Sequence, residues 1–365
     1  LHASIDRYRV TPLIELPALA GELGVGRIYV KDEGQRFGLK AFKALGATYA
    51  CYRFVAQYLA KRRRVCPPAE SFYRNNEALE PHELTFCTAT DGNHGRGVAW
   101  TARLLRQKAV VYMPRGTVEA RIQNIRAEGA EVIVVDGTYD EAVERCAREA
   151  VQNHWQVISD TSWAGYEKIP EWIQDGYYTL FREIDDALFG KQHPDLVIVP
   201  GGVGALAAAA AVHYRRPDLP SPPRLLAVEP ISAACLQESI LSPDGLPVKT
   251  GGSLDSIMAG LNCGVPSPVA WPWIRGGFDA FLSVTDFAAV GAMRRYYYPL
   301  GSDPRVIAGE SGAAALAGLL TLRHDSSLSP ARERLGLGQD SRVLLLNTEA
   351  DTDPANFGRL VLEAG

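Results

Sequence analysis

Charge of one sign is what this chain lacks first. In 365 residues, 38 Lys plus Arg stand against 42 Asp plus Glu, a net charge of −4. With no basic field to attract a polyanion, nucleic acid is not an expected partner. Cysteine is scarce. Cys51, Cys66, Cys87, Cys146, Cys235 and Cys263 never fall in a C-x-x-C spacing, which removes a disulfide scaffold and a structural zinc site and fits a reducing cytoplasm. No metal is expected. Long apolar runs are missing as well: Ala205 to Val212 is closed off by His213, Arg215 and Arg216, far short of the roughly 20 residues that cross a bilayer. No membrane association is expected. The chain opens at Leu1 with no basic segment leading into an apolar one, so a secretory signal is not expected either.

What the chain has is apolar material spread along its length, 47% hydrophobic against 22% charged. That is more than one compact core usually holds, and two lobes are the natural expectation. Runs rich in Val, Ile and Leu predict strands at Arg27–Val30, Leu84–Cys87, Ala109–Met113, Glu131–Val135, Leu196–Val199, Leu225–Val228 and Val343–Leu346. Their apolar character on both faces predicts parallel sheet. Helical spacing appears between them, at Phe42–Lys61, Gly95–Arg106, Val118–Glu128, Asp140–Asn153 and Val203–Tyr214. The repeated unit is strand, loop, helix, and the class is α/β. Two breaks stand out: Arg64–His82, with Pro67, Pro68, Asn75, Asn76 and Pro81, predicts a long surface connection, and Pro217–Pro223 a shorter one. The segment Gly245–Trp273 is rich in Gly, Pro and Ser yet keeps Leu254, Ile257, Met258 and Leu261, as ordered loops that line a site do.

Three strand-to-helix junctions carry chemistry. The first is Gly38-Leu39-Lys40-Ala41-Phe42-Lys43, which places a lysine at the opening of a helix. A helix N-terminus disfavours a cation there, which suits a Schiff-base lysine that must reach its neutral amine; a plain surface charge is the alternative. The second is Thr90-Asp91-Gly92-Asn93-His94-Gly95-Arg96-Gly97, whose converging backbone donors suit a carboxylate, or simply an Asp/Asn-capped turn. The third is Gly201-Gly202-Val203-Gly204-Ala205, whose small residues leave amides free to hold a phosphate, or make a tight turn. It fails as a dinucleotide fingerprint, because position 207 is Ala, and no Gly-Lys-Ser/Thr follows.

Taken in that order on one α/β chain, these segments resemble the fold type II pyridoxal-phosphate enzymes of the tryptophan synthase β and threonine dehydratase group. The likeness sharpens to the 2,3-diaminopropionate ammonia-lyases through Arg36–Leu39, Thr90–Trp100, Asp160-Thr161-Ser162-Trp163, Gly165–Pro170, Gly252–Gly264, Ala308–Ala313 and Asn347–Pro354. Asp91 is its most diagnostic residue, since plain dehydratases have a small or hydroxyl residue there. The resemblance implies two lobes, each with a mainly parallel sheet flanked by helices and with the cofactor in the cleft between them. Residues 1–44 and 166–365 would form the large lobe and 45–165 the small one. It implies pyridoxal 5'-phosphate as cofactor, an amino acid as substrate and a cytoplasmic homodimer. The activity it implies is elimination of 2,3-diaminopropionate, in both enantiomers, to pyruvate and two ammonia.

Residue roles follow from the same likeness. Phe42-Lys43 is similar to the Schiff-base dipeptide, with Lys40 in the preceding loop as its control. Lys43 and Asp91 would be proton acceptors on opposite faces of the substrate Cα, and Asp160 would orient its ammonium. Thr90, Asp91, Gly92, Asn93 and His94 would meet the substrate, with Asn93 also against the cofactor's phenolic oxygen. Gly201, Gly202, Val203, Gly204 and Ala205 would hold the phosphate, and Asn347 or Thr348 the pyridine nitrogen. Glu310, Ser311 and Gly312 open an apolar helix. A reversible disulfide between Cys235 and Cys263, which flank two matched segments, stays open. The chain departs from the family pattern at Lys40, Ala164, Val265, Asn347, Ala350 and the bulky Tyr296-Tyr297-Tyr298. That last feature keeps alive a dehydratase of bulky β-hydroxy amino acids or a β-replacing synthase.

Overall fold

The computed structural model describes residues 1–74, 77–188 and 193–363; Asn75 and Asn76 of the predicted connection lie outside them. In chain order the elements are β1 (Leu13–Glu15), α1 (Pro17–Leu23), β2 (Arg27–Asp32), α2 (Ala44–Lys61), β3 (Thr85–Ala89), α3 (Asn93–Leu104), β4 (Lys108–Pro114), α4 (Glu119–Arg126), β5 (Glu131–Val135), α5 (Tyr139–Asn153), β6 (Gln156–Val157) and α6 (Lys168–Ala187). They continue with β7 (Leu196–Pro200), α7 (Ala205–Tyr214), β8 (Arg224–Pro230), α8 (Cys235–Leu241), α9 (Trp271–Gly277), β9 (Ala280–Val284), α10 (Asp286–Tyr297), α11 (Ala314–His324), α12 (Ser329–Arg334), β10 (Arg342–Asn347) and α13 (Pro354–Phe357).

The chain forms two compact units, one of residues 1–9 and 36–179, the other of residues 10–35 and 180–365. These breaks differ from those expected at 44/45 and 165/166. Lys43 and the first half of α6 belong with α2, because helix glycines allow close packing there: a Cβ on Gly46 would lie 2.6 Å from Ile173, and one on Gly176 2.5 Å from the Leu45 carbonyl.

The smaller unit holds a four-stranded sheet, order β5-β4-β3-β6, parallel throughout. Strand side chains alternate between faces. Cys87, Ala89, Val110 and Tyr112 pack with Ala142, Cys146 and Ala150 of α5, while Val111 points to α3, where it bounds Gly95. α5 begins with a capping box, the Thr138 hydroxyl accepting from Glu141 N while the Glu141 carboxylate accepts from Thr138 N.

The larger unit holds a six-stranded sheet, order β1-β2-β10-β7-β8-β9, parallel except for β1, which runs antiparallel to β2. Ile28, Val30, Leu196, Ile198, Leu226, Val228, Val343 and Leu345 share a core with α1, α10 and α11. On this sheet too, glycine sets how closely helices approach: a Cβ on Gly318 of α11 would meet Val228 at 2.5 Å. The Gly/Pro/Ser-rich stretch after α8 is tied down, with Met258 and Leu261 in the core and Thr250 N donating to Gly264 O at 2.9 Å.

All seven predicted strands are present within one or two residues. The strands β1, β6 and β9 and the helices α1, α6, α8, α9, α10, α12 and α13 were not read. β1 and β6 have three and two residues, too few for a periodicity, and β9 is a half-exposed edge strand. Among the described residues no helix is long and apolar enough to cross a membrane.

Candidate active site

Lys43 stands at the N-cap of α2 with helical dihedrals, at the place the sequence predicts. Its seat is made by Gly97 of α3, where a Cβ would approach Ala44 Cα and N to 3.1 Å and Lys43 C to 3.3 Å. Arg96 tightens the same junction, donating from Nη1 to Leu39 O at 3.2 Å. Phe42 packs on Tyr177 with ring centroids 4.7 Å apart. Lys40 lies in the loop before, in the left-handed region at φ +61°.

The turn between β3 and α3 is built around Thr90, whose hydroxyl accepts from Gly92 N and Gly95 N, both at 3.0 Å. Thr90 thereby holds the turn in shape. Asn93 is the first residue of α3, so the helix opens toward the predicted carboxylate position. His94 is buried, and its Nε2 lies 2.8 Å from Ile158 O, tying α3 to the end of β6. Burial lowers the His94 proton affinity, with Asp160 opposing. A neutral ring donating from Nε2 leaves Nδ1 as a lone pair, 3.8 Å from Asp160.

Two carboxylates and one amine complete the smaller unit's contribution. The Lys43 ammonium donates from Nζ to Asp160 Oδ2 at 2.6 Å. Burial would push the Asp160 carboxyl up, but the Lys43 ammonium outweighs it and holds it well below the usual carboxylate range. Asp91 goes the other way: burial raises it to about 6, with Arg121 and Lys43 pulling down and Asp160 adding to the rise. Two acids in one unit are thus driven apart by environment, the pattern expected of distinct acid–base tasks. Tyr166 fixes the loop that carries Asp160, accepting from Ser159 N at 2.8 Å and donating to Val157 O at 3.0 Å.

The larger unit carries the remaining predicted residues. Gly201 follows β7, and a Cβ there would fall 2.6 Å from Glu229 Cγ. Gly202 and Gly204 take φ of +70° and +95°, so α7 starts at Ala205 rather than at Val203 as predicted. Among the described residues nothing accepts from the amides of Gly202, Val203 and Gly204. Unpaired amides before a ten-residue helix fit a phosphate. From Gly202 a line of contacts runs through Gly260, whose N donates to Ser311 Oγ at 3.1 Å, to Gly312, where a Cβ would meet Asn347 Oδ1 at 2.4 Å. Asn347 is buried, donating from Nδ2 to Asp32 Oδ1 at 2.9 Å and Ile307 O at 3.0 Å, while its Oδ1 has no partner. Thr348 follows it, also buried. The matched segments Gly252–Gly264 and Ala308–Ala313 thus line this region. Within each unit the residues fit a phosphate-bearing aldehyde cofactor: the smaller one has an amine at Lys43, and the larger one has a glycine cradle at 201–204 and polar groups after β10.

One expectation changes. Tyr296 belongs to the core of the larger unit, Tyr297 packs on Phe357 and Tyr298 is exposed, so the three tyrosines do not act as one bulky wall. Cys235 and Cys263 are not joined in a disulfide. Each lies by Gly202, the Cys235 thiol donating to its carbonyl at 3.6 Å and Cys263 Sγ 3.6 Å from where its Cβ would stand. Arg121, Glu229 and Tyr166 were not read as site residues; Tyr166 falls in the matched segment Gly165–Pro170, while nothing in the local sequence marks Arg121 or Glu229.

The family of pyridoxal-phosphate dependent enzymes matches residues 5–348. The diaminopropionate ammonia-lyase of Escherichia coli K12 is 41% identical over 365 residues, covering 99% of this chain and 89% of that protein. The crystal structure of the Escherichia coli enzyme in complex with an aminoacrylate-PLP azomethine reaction intermediate superposes with a TM-score of 0.89 at 39% identity, covering 99% of this chain and 90% of that one. Its complex with D-serine gives the same TM-score, identity and coverage. The chain belongs to the pyridoxal-phosphate-dependent enzyme family and, within it, to the diaminopropionate ammonia-lyases.

Proposed function

We propose that the chain eliminates ammonia from 2,3-diaminopropionate, in both enantiomers, giving pyruvate and two ammonia. The observation that carries this reading is Asp91, a raised carboxyl in the turn before α3, in the same unit as the Lys43–Asp160 pair. A substrate with two ammonium groups needs counter-charge when it leaves water, and this unit offers two carboxylates. A β-hydroxy amino acid needs no second one. The related enzyme's complexes with D-serine and with an aminoacrylate adduct support the reading.

Bound pyridoxal phosphate would supply the electron sink for the Cα carbanion. The larger unit would hold it, with Gly201 to Ala205 on the phosphate. Thr348 would meet the pyridine nitrogen, because the Asn347 amide nitrogen is already committed to Asp32 and Ile307. In the smaller unit Lys43 supplies the reacting amine, with Phe42 packed behind it, and Nζ accepts the Cα proton of one enantiomer. Asp160, 2.6 Å away, holds that nitrogen and receives the substrate's ammonium. Asp91 accepts the Cα proton of the other enantiomer. The amides of Asn93 and His94, on a turn whose Gly92 amide is held by Thr90, would bind the substrate carboxylate, and Asn93's side chain would face the phenolic oxygen. A homodimer in a reducing cytoplasm is part of the same proposal; cysteines that form no disulfide among the described residues support the compartment, and sedimentation of the holoenzyme tests the dimer.

The deciding experiment incubates the holoenzyme with each enantiomer of diaminopropionate and of serine and measures pyruvate and ammonia. Two ammonia per pyruvate from diaminopropionate is the expected result. Turnover of serine or a bulkier β-hydroxy amino acid with none of diaminopropionate would replace this reading by a dehydratase.

A further inference from the structure

Helix α4 takes no part in the chemistry assigned so far, yet its Arg121 lies against the turn that carries Asp91. Gly92 has φ +152°, and a Cβ there would stand 3.1, 3.4 and 3.6 Å from Cδ, Cγ and Cβ of Arg121. The guanidinium donates from Nη1 to Asp91 O at 3.4 Å. Arg121 is itself placed by the first turn of α4, its N donating to Val118 O at 3.0 Å. The other charged groups facing Asp91 are Lys43 from the start of α2 and Asp160 from the loop after β6, with His94 of α3 turned to Asp160. Lys43 is paired with Asp160 at 2.6 Å and must change its protonation state in the reaction. Arg121 instead takes no part in the proton transfers.

We propose that Arg121 is a positioning residue, the permanent counter-charge that keeps the Asp91 carboxylate ionised and its turn in place, so that Asp91 can accept the Cα proton of one enantiomer. This rests on the reading of Asp91 as the second proton acceptor. Burial raises the Asp91 carboxyl to about 6, and Arg121 is the largest influence against that rise, ahead of Lys43. Without Arg121, burial and the like charge of Asp160 act with less opposition. More of Asp91 is then protonated near neutrality, and a protonated carboxyl accepts nothing.

The test uses wild-type holoenzyme, R121Q, R121K and D91N. Two readouts are followed: the pH profile of kcat/KM for each enantiomer, and the titration of Asp91 by NMR in holoenzyme labelled with carboxyl-13C aspartate, its resonance assigned by its loss in D91N. R121Q is expected to move the acidic limb up by about one pH unit, roughly a tenfold loss below the limb. This should occur only for the enantiomer that D91N disables, the Asp91 resonance should move with it, and R121K should stay close to wild type in both. R121M keeps the aliphatic stem on Gly92 and drops the charge; it replaces R121Q if that variant does not fold. If D91N weakens both enantiomers equally, the reading of Asp91 falls. If D91N is selective but R121Q moves neither limb, or both alike, the role of Arg121 falls.

Discussion

Gly97→Ala is a one-carbon perturbation whose effect the structure lets us size. The added Cβ would lie 3.1 Å from Ala44 Cα and N and 3.3 Å from Lys43 C, where ordinary carbon contacts are about 3.5–4.0 Å. All three atoms are backbone, so no side chain can swing away. α3 and the start of α2 must separate by about half an ångström. Overpacking of this kind costs roughly 1–3 kcal/mol, partly offset by the roughly 0.8–1 kcal/mol that Ala gains over Gly inside a helix. A net loss of about 1 kcal/mol lowers Tm by roughly 2–4 °C for a unit of this size. The displaced group is the reacting lysine. Since a 1 Å misplacement can cost about 100-fold, half of that is expected to lower kcat by roughly tenfold. The assay pairs thermal melting of the holoenzyme with pyruvate formation, and Gly291→Ala is the control. Gly291, exposed on α10, has nothing within 4 Å of its Cβ position, so that variant should gain about 0.8 kcal/mol and keep full activity. If Gly97→Ala matched Gly291→Ala in both stability and rate, the close approach of α3 to Lys43 would not be what seats the lysine.

Lys43→Ala should abolish the visible Schiff-base absorbance of the purified holoenzyme, while Lys40→Ala, altered in the left-handed loop residue, should retain it; the reverse pattern would misplace the reacting amine. Glu229, under Gly201, is raised by burial to about 7 despite accepting from Leu236 N and Gln237 N. The native state therefore binds a proton that the unfolded chain releases above about 4.5, and this group's share of stability falls as pH rises from about 4.5 to 7. Chemical denaturation across that range should show the fall in wild type and a flatter profile in Glu229→Gln; parallel profiles would count against a buried, protonated Glu229. Tyr166→Phe removes the hydroxyl joining Ser159 N to Val157 O and should cost about 1–2 kcal/mol and raise KM for diaminopropionate, as the Asp160 loop loosens. An unchanged KM would show that the loop is held by other means, such as the stacking of Trp163 on Tyr166 at 4.2 Å.

Local order along the chain determined the parallel strands, because a strand buried on both faces must be apolar at every position, as in Leu196–Pro200 with all five residues buried. It likewise determined the lysine at a helix start, the turn from Thr90 to Gly97 and the glycine loop after β7, since each is a junction whose chemistry lies within ten consecutive residues. Periodicity missed β1 and β6, which are too short to show one, and β9, which owes its strand form to pairing with β8 rather than to its own pattern. Tertiary structure alone decided which charges meet. Asp160 reaches Lys43 across 117 residues, and Arg121 reaches Asp91 across 30. Tyr296, bulky enough in sequence to suggest a pocket wall, turns instead into the core. Gly97 is ordinary in a helix until α2 is laid against it. The physical reason is common to all four: proton affinity and packing depend on what surrounds a group in three dimensions, and a side chain's own sequence neighbours supply only a small part of that surrounding.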